Sequence, residues 1–298
     1  MVYTSCEEVS EMDEGNVKVR VAGVQMEPKI LEKDRNLARC LELIRATAKE
    51  GARLIVFPEC ALTGYIFTSL EEALPVSEPI PGPSTEEILG VCRELNVYVV
   101  IGLLEIDKGN CYNAAALLGP GGVVAKHRKL HLPYVGVDRF VSHGNLPPTV
   151  CETEIGRIGM GICYDGNFPE YVRILALEGA DIFVLPANWP ELGECIPEII
   201  IPARALENLV FVVAVNRVGE ERGIKFFGGS KIAHFAEGMA LAEGKPYEED
   251  ILYADIEPAT AREKHVVITP GEFELDLFGD RRPELYGSLC KPPADPRR

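Results

Sequence analysis

The chain has 298 residues, of which 47% are hydrophobic, 26% charged and 7% aromatic, and its formal net charge is −16. This composition excludes a disordered, collagen-like or low-complexity protein, and it allows a substantial core without disulfides or metal. An acidic surface repels phosphate backbones, so we expect no nucleic-acid partner.

Three features of the chain concern its compartment. Residues 1–16 are acidic and contain no Lys or Arg, which is the opposite of a signal or transit peptide. No stretch approaches the roughly 18 continuous apolar residues that a membrane span requires. The nine cysteines lack the two-residue spacing of metal knuckles and redox motifs, and most are expected to be buried free thiols. These features predict a cytoplasmic protein with no membrane partner.

Short β-branched runs alternate with segments of helical period along the chain. A strand is predicted over 17–25 and a helix over 34–51, with Asp34 as its cap and Gly51 at its end. The next predicted elements are a strand over 53–57, a helix over 84–95 opened by a Ser84/Glu87 capping box, and a strand over 97–105.

The second half of the chain continues this alternation. The turn "GPGG" at 119–122 joins two strand-like runs and predicts a hairpin. Later predicted elements are a strand over 157–164, a helix over 169–179, a strand over 181–186, a helix over 196–208 and a strand over 210–216. Crossovers and hairpins together predict an α/β protein with mixed sheets.

Two segments resemble each other within the chain. "AKEGARLIVFPE" (48–59) and "ALEGADIFVLPA" (176–187) share six residues at the same offsets. The likeness reflects either a generic helix-to-strand joint or two similar α/β halves whose sheets pack together. No linker separates them, so we predict one domain over 17–298, with an acidic arm at 1–16 and a Pro-rich tail at 291–298.

Cys163 is the first candidate for chemistry. It lies at the predicted junction of an apolar strand and a helix. Helix N-termini and nearby cations depress a thiol pKa, so we expect an available thiolate nucleophile at neutral pH. A packing role is the alternative, because buried cysteines are common.

Two glutamates compete as the base for Cys163. Glu59 follows the apolar run "RLIVFP", so desolvation is expected to raise its pKa. Glu170 is expected to begin a helix, where an acid stabilises the terminus without any catalytic role. We therefore favour Glu59.

The basic segment "KHRKLHLP" (126–133) is unusual in so acidic a chain. It is either a solvated face or the source of an ammonium, Lys129, that lowers the Cys163 pKa and stabilises an oxyanion. His127 or His131 near Cys163 gives a weaker Cys/His alternative.

Three blocks, "VFPECALTGY", "KHRKLHLP" and "GICYDGNFPE", occur in this order. They resemble the signature blocks of the nitrilase superfamily of carbon–nitrogen hydrolases, whose catalytic Glu, Lys and Cys correspond to Glu59, Lys129 and Cys163. The resemblance covers about 18–256. It implies a four-layer α-β-β-α sandwich of two mixed sheets with pseudo-twofold halves, a homodimer or higher homo-oligomer, and no metal or organic cofactor.

The resemblance also implies supporting roles. Asp138 is expected to orient Lys129, in place of a second glutamate that the family often carries. The backbone N–H of Tyr164 is expected to hold the oxyanion together with Lys129. Three further residues are expected to line the substrate pocket: Tyr65, Asn188 and Trp189. Trp189, the only tryptophan, is equally consistent with a place in the core.

The residues after the cysteine favour an amide as the substrate. Tyr164 and Asp165 stand where true nitrilases usually have Trp-Glu, and "DGN" followed by an aromatic residue and "PE" is similar to aliphatic amidases. We therefore predict an amidase that hydrolyses a small carboxamide through a cysteine thioester. N-carbamoyl amide or nitrile hydrolysis is the enzymatic alternative, and a binding scaffold on the same fold is the non-enzymatic one.

Overall fold

The computed structural model describes residues 18–236 and 240–292. The strands in this part of the chain are β1 (Val19–Gln25), β2 (Leu54–Val56), β3 (Tyr98–Asp107), β4 (Asn110–Gly119), β5 (Gly122–Arg128), β6 (Val150–Thr153), β7 (Gly156–Met160), β8 (Ile182–Ala187), β9 (Phe211–Asn216), β10 (Val218–Glu221), β11 (Ile224–Phe227), β12 (Lys231–Ala233), β13 (Ala240–Glu243), β14 (Asp250–Ile256), β15 (His265–Thr269) and β16 (Phe273–Asp276).

The α-helices of the same part are α1 (Lys33–Lys49), α2 (Leu70–Ala73), α3 (Pro83–Leu95), α4 (Pro169–Leu177) and α5 (Ile201–Asn208). Short 3-10 turns cover Leu74–Val76, Gly136–Arg139, Cys163–Asn167, Pro258–Arg262, Pro283–Leu285 and Gly287–Cys290, and a π-turn covers Ile196–Ile200. Within the described residues, no helix combines the length and the apolar character needed to cross a bilayer.

Two six-stranded mixed sheets form the centre of the molecule. The first has the order β14-β1-β2-β3-β4-β5 and the second has the order β13-β12-β9-β8-β7-β6. In each sheet three adjacent strands are parallel, β1-β2-β3 in the first and β7-β8-β9 in the second. Antiparallel strands flank both triplets, which confirms the predicted mixed sheets.

The repeated sequence segments occupy equivalent places in the two sheets. Segment 48–59 leads from the end of α1 into β2, and segment 176–187 leads from the end of α4 into β8. Gly51 and Gly179 follow these helices with φ values of 90° and 89°, a conformation that glycine adopts without a steric penalty. Because β2 and β8 are each the central parallel strand, the prediction of two similar halves is confirmed.

The strand β2 shows how the layers are held together. Leu54 and Val56 pack in the core that contains the second sheet, whereas Ile55 packs with residues of α1 and α3. All three side chains are fully buried, as expected for a strand with a layer on each face. With α4 and α5 on the second sheet, the layers form the predicted α-β-β-α sandwich.

The hairpin predicted at "GPGG" is confirmed, because β4 and β5 are antiparallel and Gly119 lies opposite Gly122. Two predicted caps are wrong. Asp34 lies in the first turn of α1, after the capping residue Glu32. The helix α3 begins at Pro83, where the Gly82 N–H donates to Thr85 Oγ1 at 2.7 Å in place of a Ser84/Glu87 box.

One predicted strand ends early, and one predicted helix is divided into two types. The strand predicted over 157–164 ends at Met160, and a 3-10 turn begins at Cys163. The helix predicted over 196–208 consists of a π-turn followed by α5, because Pro202 has no N–H for the helical hydrogen bond. The predicted arm at 1–16 lies outside the described residues, as does most of the predicted tail at 291–298. That 17–298 forms one domain stays a prediction.

Candidate active site

The three candidate catalytic residues lie beyond the ends of strands. Glu59 follows β2, Lys129 comes directly after β5, and Cys163 opens the turn after β7. Their side chains are buried, with exposures of 1%, 1% and 8%. The lysine is anchored by its backbone N–H, which donates to the Asn113 carbonyl at 2.8 Å. The fold therefore brings together residues that are far apart in the chain.

The ammonium of Lys129 lies between two carboxylates. Its Nζ is 2.6 Å from Glu59 Oε1 and 2.5 Å from Asp138 Oδ2, and none of the three side chains is exposed. Burial alone lowers the lysine pKa, but the Asp138 and Glu59 carboxylates outweigh it and raise that pKa well above its ordinary value. The lysine is therefore a cation at neutral pH, and Asp138, which the resemblance implied as the residue that orients it, is in direct contact with its ammonium.

A buried cluster of one cation and two anions contributes little to stability, because removing the charges from water costs as much free energy as their attraction returns. Such clusters are typical of functional sites. An ammonium has three N–H donors, and Glu59 and Asp138 accept two from Lys129. One donor is left for another acceptor.

Asn113 is a member of the site that the sequence analysis missed. Its Nδ2 donates to Glu59 Oε1 at 2.7 Å and to Asp138 Oδ1 at 2.8 Å, and its Oδ1 lies 3.6 Å from the Cys60 thiol, which donates to it. Asn113 thus fixes both carboxylates in the orientation that Lys129 requires. The available signal was a lone amide inside the apolar strand β4, which carries no motif.

Glu59 uses only one of its two carboxylate oxygens within the protein. Oε1 accepts from Lys129 and Asn113, whereas the buried Oε2 has no hydrogen-bond partner among the described residues. Burial raises the pKa of Glu59, Asp138 raises it further, and Lys129 opposes this rise. A desolvated carboxylate with a free oxygen is suited to accept a proton.

Cys163 has a strained backbone and a protonated thiol. Its φ of 46° lies in the left-handed region, which is unusual for a residue other than glycine. Burial and the Glu59 charge raise the thiol pKa, and Lys129 and the backbone N–H of Asn188 only partly offset the rise. The expectation of a resting thiolate is therefore wrong, because burial outweighs the cation. The sulfur needs a base at the moment of reaction.

Tyr65 lies at the site but supports Asp138. Its hydroxyl donates to Asp138 Oδ2 at 2.8 Å, and its ring centroid is 5.7 Å from Lys129 Nζ. The buried Glu221 accepts the backbone N–H of Tyr65 at 2.8 Å and fixes the loop. The hydroxyl is therefore already occupied, and Tyr65 orients Asp138 and Lys129.

Tyr164, predicted as the backbone donor to the oxyanion, follows β7, and the predicted pocket residues Asn188 and Trp189 follow β8. The Tyr164 side chain is 36% exposed and packs edge-on against Phe168. Asn188 and Trp189 are 3% and 1% exposed, and within residues 18–236 and 240–292 neither the Asn188 side-chain amide nor Trp189 Nε1 has a hydrogen-bond partner. Trp189 is part of the main core cluster. The backbone N–H of Asn188, in contrast to its side chain, donates to the Cys163 sulfur, so Asn188 is a neighbour of the candidate nucleophile.

Three other residues were candidates for the base that activates Cys163: Glu170, His127 and His131. Glu170 is exposed in the first turn of α4, as expected for an acid that complements a helix terminus. His127 Nε2 and His131 Nδ1 lie 2.9 Å and 2.7 Å from the two oxygens of Asp165. The rings of both histidines thus bind a carboxylate, and the Cys/His alternative loses its support.

Comparison with known families gives a match over most of the chain. Residues 20–265 match the family model described as carbon-nitrogen hydrolase. A protein named nitrilase from Pyrococcus abyssi is 40% identical over 269 residues, which cover 90% of this chain and 99% of that protein. The omega-amidase NIT2 of Mus musculus is 32% identical over 284 residues, covering 92% and 99% of the two chains.

Solved structures are similar to this chain over most of its length. An amidase from Nesterenkonia sp. matches with a TM-score of 0.75 and 26% identity, covering 91% of this chain and 96% of that one. A variant of the amidase from Nesterenkonia sp. AN1 carries a covalent acetamide adduct on its active-site cysteine and matches with a TM-score of 0.75 and 25% identity, covering 91% and 97%.

Proposed function

The chain belongs to the carbon-nitrogen hydrolase family of the nitrilase superfamily, and we propose that it hydrolyses a small carboxamide to a carboxylate and ammonia through a thioester on Cys163. The observation that carries the proposal is the buried, unpartnered Oε2 of Glu59 beside a permanent cation. Acyl transfer from an amide to a neutral thiol requires a proton acceptor for the thiol and a hydrogen-bond donor for the oxyanion.

In the first half of the reaction, Glu59 Oε2 takes the Cys163 thiol proton while the sulfur attacks the amide carbonyl. The third N–H of Lys129 and the backbone N–H of Tyr164 stabilise the oxyanion of the tetrahedral intermediate. The carbon–nitrogen bond then breaks, and the proton on Glu59 passes to the leaving nitrogen, which departs as ammonia. Cys163 is left as a thioester.

In the second half, Glu59 takes a proton from water as the oxygen attacks the thioester carbonyl. The carbon–sulfur bond breaks, the sulfur of Cys163 recovers a proton from Glu59, and the product leaves as a carboxylic acid that gives its remaining proton to water and becomes the carboxylate. Lys129 stays charged throughout, since its pKa is held far above neutral by two carboxylates. The lysine thus acts as a fixed cation.

The unpartnered amide of Asn188 supports a polar substrate of small size. A buried amide with neither hydrogen bond made costs free energy, about 1–3 kcal/mol for each unsatisfied group. A carboxamide offers a carbonyl acceptor and N–H donors that complement it. We therefore propose Asn188 as the polar contact to the substrate, and Trp189 as an apolar wall next to it.

Nitrile hydrolysis is the second candidate, and it is favoured by the relative that is named nitrilase. Ammonia release from acetamide, butyramide, an ω-amide, butyronitrile and an N-carbamoyl compound distinguishes the alternatives. We expect turnover of an amide and its loss in Cys163→Ala. The matched control is Cys195→Ala, because Cys195 is exposed and lies outside the site. If both variants keep turnover, the nucleophile is wrong.

We also propose a homodimer or higher homo-oligomer. Apolar side chains are exposed on α4, α5 and the C-terminal hairpin, among them Ile174, Leu177, Leu206 and Ile268. Some of them line an open apolar groove of about 760 Å³ between α5 and β15–β16. Sedimentation equilibrium of wild type and Leu206→Glu tests this, with dissociation of the variant expected.

The eight described cysteines are free, which supports a reducing compartment such as the cytoplasm.

A further inference from the structure

Asp165 lies two residues after Cys163 and has no exposed surface. Its Oδ2 accepts the Ile162 N–H at 3.0 Å and lies 2.9 Å from His127 Nε2. Its Oδ1 accepts the His131 N–H at 3.1 Å and lies 2.7 Å from His131 Nδ1. An ionised carboxylate only accepts hydrogen bonds, so both facing ring nitrogens carry a hydrogen. One side chain thus receives four donors from two separate segments.

The position of these donors relative to the site is the informative feature. His127 and His131 stand two residues before and two residues after Lys129, and Ile162 directly precedes Cys163. Asp165 therefore joins the segment that carries the ammonium to the turn that carries the sulfur. The mechanism assigns it no proton transfer and no contact with substrate.

The turn around Cys163 needs such a support. A left-handed conformation costs a residue with a Cβ roughly 1–2 kcal/mol, and it persists only where the surroundings impose it. The Asp165 N–H donates to the Ile162 carbonyl at 2.9 Å, while the Asp165 carboxylate accepts the Ile162 N–H. These two bonds close the backbone on both sides of Cys163, whose φ is 46°.

Both imidazole rings are held in place by packing. His131 stacks on Phe168 with ring centroids 3.7 Å apart and an angle of 14°, and His127 lies 5.6 Å from the Tyr171 ring. Burial alone raises the Asp165 pKa, but the hydrogen bonds from His127 and His131 outweigh it and hold that pKa below its usual range. The carboxylate is therefore ionised at neutral pH.

We propose that Asp165, His127 and His131 form a positioning clasp that holds the Cys163 sulfur in register with Lys129 and Glu59. The clasp rests on the proposed function, since it positions the nucleophile of that reaction. Misplacement of reacting groups by about 1 Å costs on the order of 10²-fold in rate. Opening the clasp should therefore lower kcat and leave KM nearly unchanged, because the clasp does not bind substrate.

Matched pairs of variants test the clasp. At position 131, His131→Asn keeps an N–H donor near the place of Nδ1, and His131→Leu removes it. At position 127, His127→Gln keeps an N–H donor near the place of Nε2, and His127→Leu removes it. His131 is 30% exposed, so its variants are expected to fold. We measure kcat and KM with butyramide and the rate of Cys163 alkylation by iodoacetamide. The Leu variants should lose on the order of 10²-fold in kcat and alkylate Cys163 at an altered rate, and the amide variants should recover much of both.

Asp181→Asn is the control for the loss of a buried carboxylate, because Asp181 is equally buried and pairs with Arg157 away from the site. It should lower the melting temperature without changing kcat. The clasp would be overturned if kcat and the alkylation rate were equal in His131→Asn and His131→Leu, and also equal in His127→Gln and His127→Leu. Alkylation needs no substrate, so it tests the clasp even where butyramide is not hydrolysed. Amide turnover that survives Cys163→Ala refutes the proposed function instead.

Discussion

Glu59 and Lys129 form an ion pair in which neither side chain has any exposed surface and Oε1 lies 2.6 Å from Nζ. The second carboxylate oxygen of Glu59 is buried and makes no hydrogen bond in the part of the chain that the structure describes. Lys129 therefore orients the base without occupying the oxygen that accepts the proton. The same ammonium keeps one N–H donor for the oxyanion. Within this pair, Glu59 thus transfers the proton and Lys129 stabilises the negative charge of the intermediate.

Glu59→Gln should lower kcat by on the order of 10²-fold or more, because the amide keeps the size of the side chain and removes the base. Glu170→Gln is the control, since Glu170 lies exposed in the first turn of α4. That variant should keep its kcat and lose at most about 1 kcal/mol of stability. Steady-state kinetics and thermal melts of both variants decide the matter, and the reverse pattern would assign the base to Glu170.

Lys129→Ala should lower kcat by about 10²-fold or more through loss of the oxyanion donor. It should also reduce the free energy of unfolding by roughly 3–5 kcal/mol, because two buried carboxylates lose their cation. The Cys163 pKa should rise further, since Lys129 is a group that lowers it.

The Cys163 pKa is measured from the alkylation rate as a function of pH. Lys129→Arg should restore stability better than kcat, because a planar guanidinium keeps the charge but not the compact donor. A normal kcat and an unchanged alkylation profile in Lys129→Ala would mean that the oxyanion donor lies elsewhere.

The fall of kcat/KM at low pH, its acid limb, should follow the protonation of Glu59. Its pKa is raised above the ordinary 4.5, so activity should fall at a pH above that value as the base gains its proton. Asp138→Asn removes a charge that raises the Glu59 pKa and should move the acid limb to lower pH. The shift is read from pH–rate profiles of the residual activity. A limb that moves upward would show that Asp138 does not act on the base in this way.

Asn113→Leu should move the acid limb in the opposite direction. The Asn113 amide donates to Glu59 Oε1 and so lowers the Glu59 pKa, and its removal favours the protonated form. We also expect a lower kcat, because both carboxylates lose a shared donor. Cys60→Ala is the control: Cys60 contacts Asn113 Oδ1 and donates to neither carboxylate. If the acid limb of the pH–rate profile did not shift in Asn113→Leu, the role of Asn113 would be purely structural.

Features that depend on residues close together in the sequence were predictable, whereas features that depend on contacts between distant segments were not. The mixed α/β sheets were predictable because β2 and β8 carry local apolar runs next to glycines that end helices, and the four-layer sandwich was implied by the resemblance of the three motifs to a known family. The grouping of Glu59, Lys129 and Cys163 was predictable because each lies in a contiguous motif. Asn113 was not, since its role arises only when β4 passes between two distant loops.

Two further properties depended on packing. The thiol pKa of Cys163 was predicted in the wrong direction, because a strand-to-helix junction suggests exposure whereas the folded layers bury the sulfur. Asp165 was identified only as a residue of the motif. Its contacts with His127 and His131 join segments more than 30 residues apart, which no local pattern reveals.

The central claim is a thioester on Cys163, and it is tested most directly by quenching wild-type protein with acid during turnover of butyramide and mapping its peptides by mass spectrometry. We predict a butyryl group on the peptide that contains Cys163, and its absence from that peptide in Cys163→Ala, which should not turn over. A butyryl group on another cysteine such as Cys195, or continued ammonia release by Cys163→Ala, would contradict the mechanism.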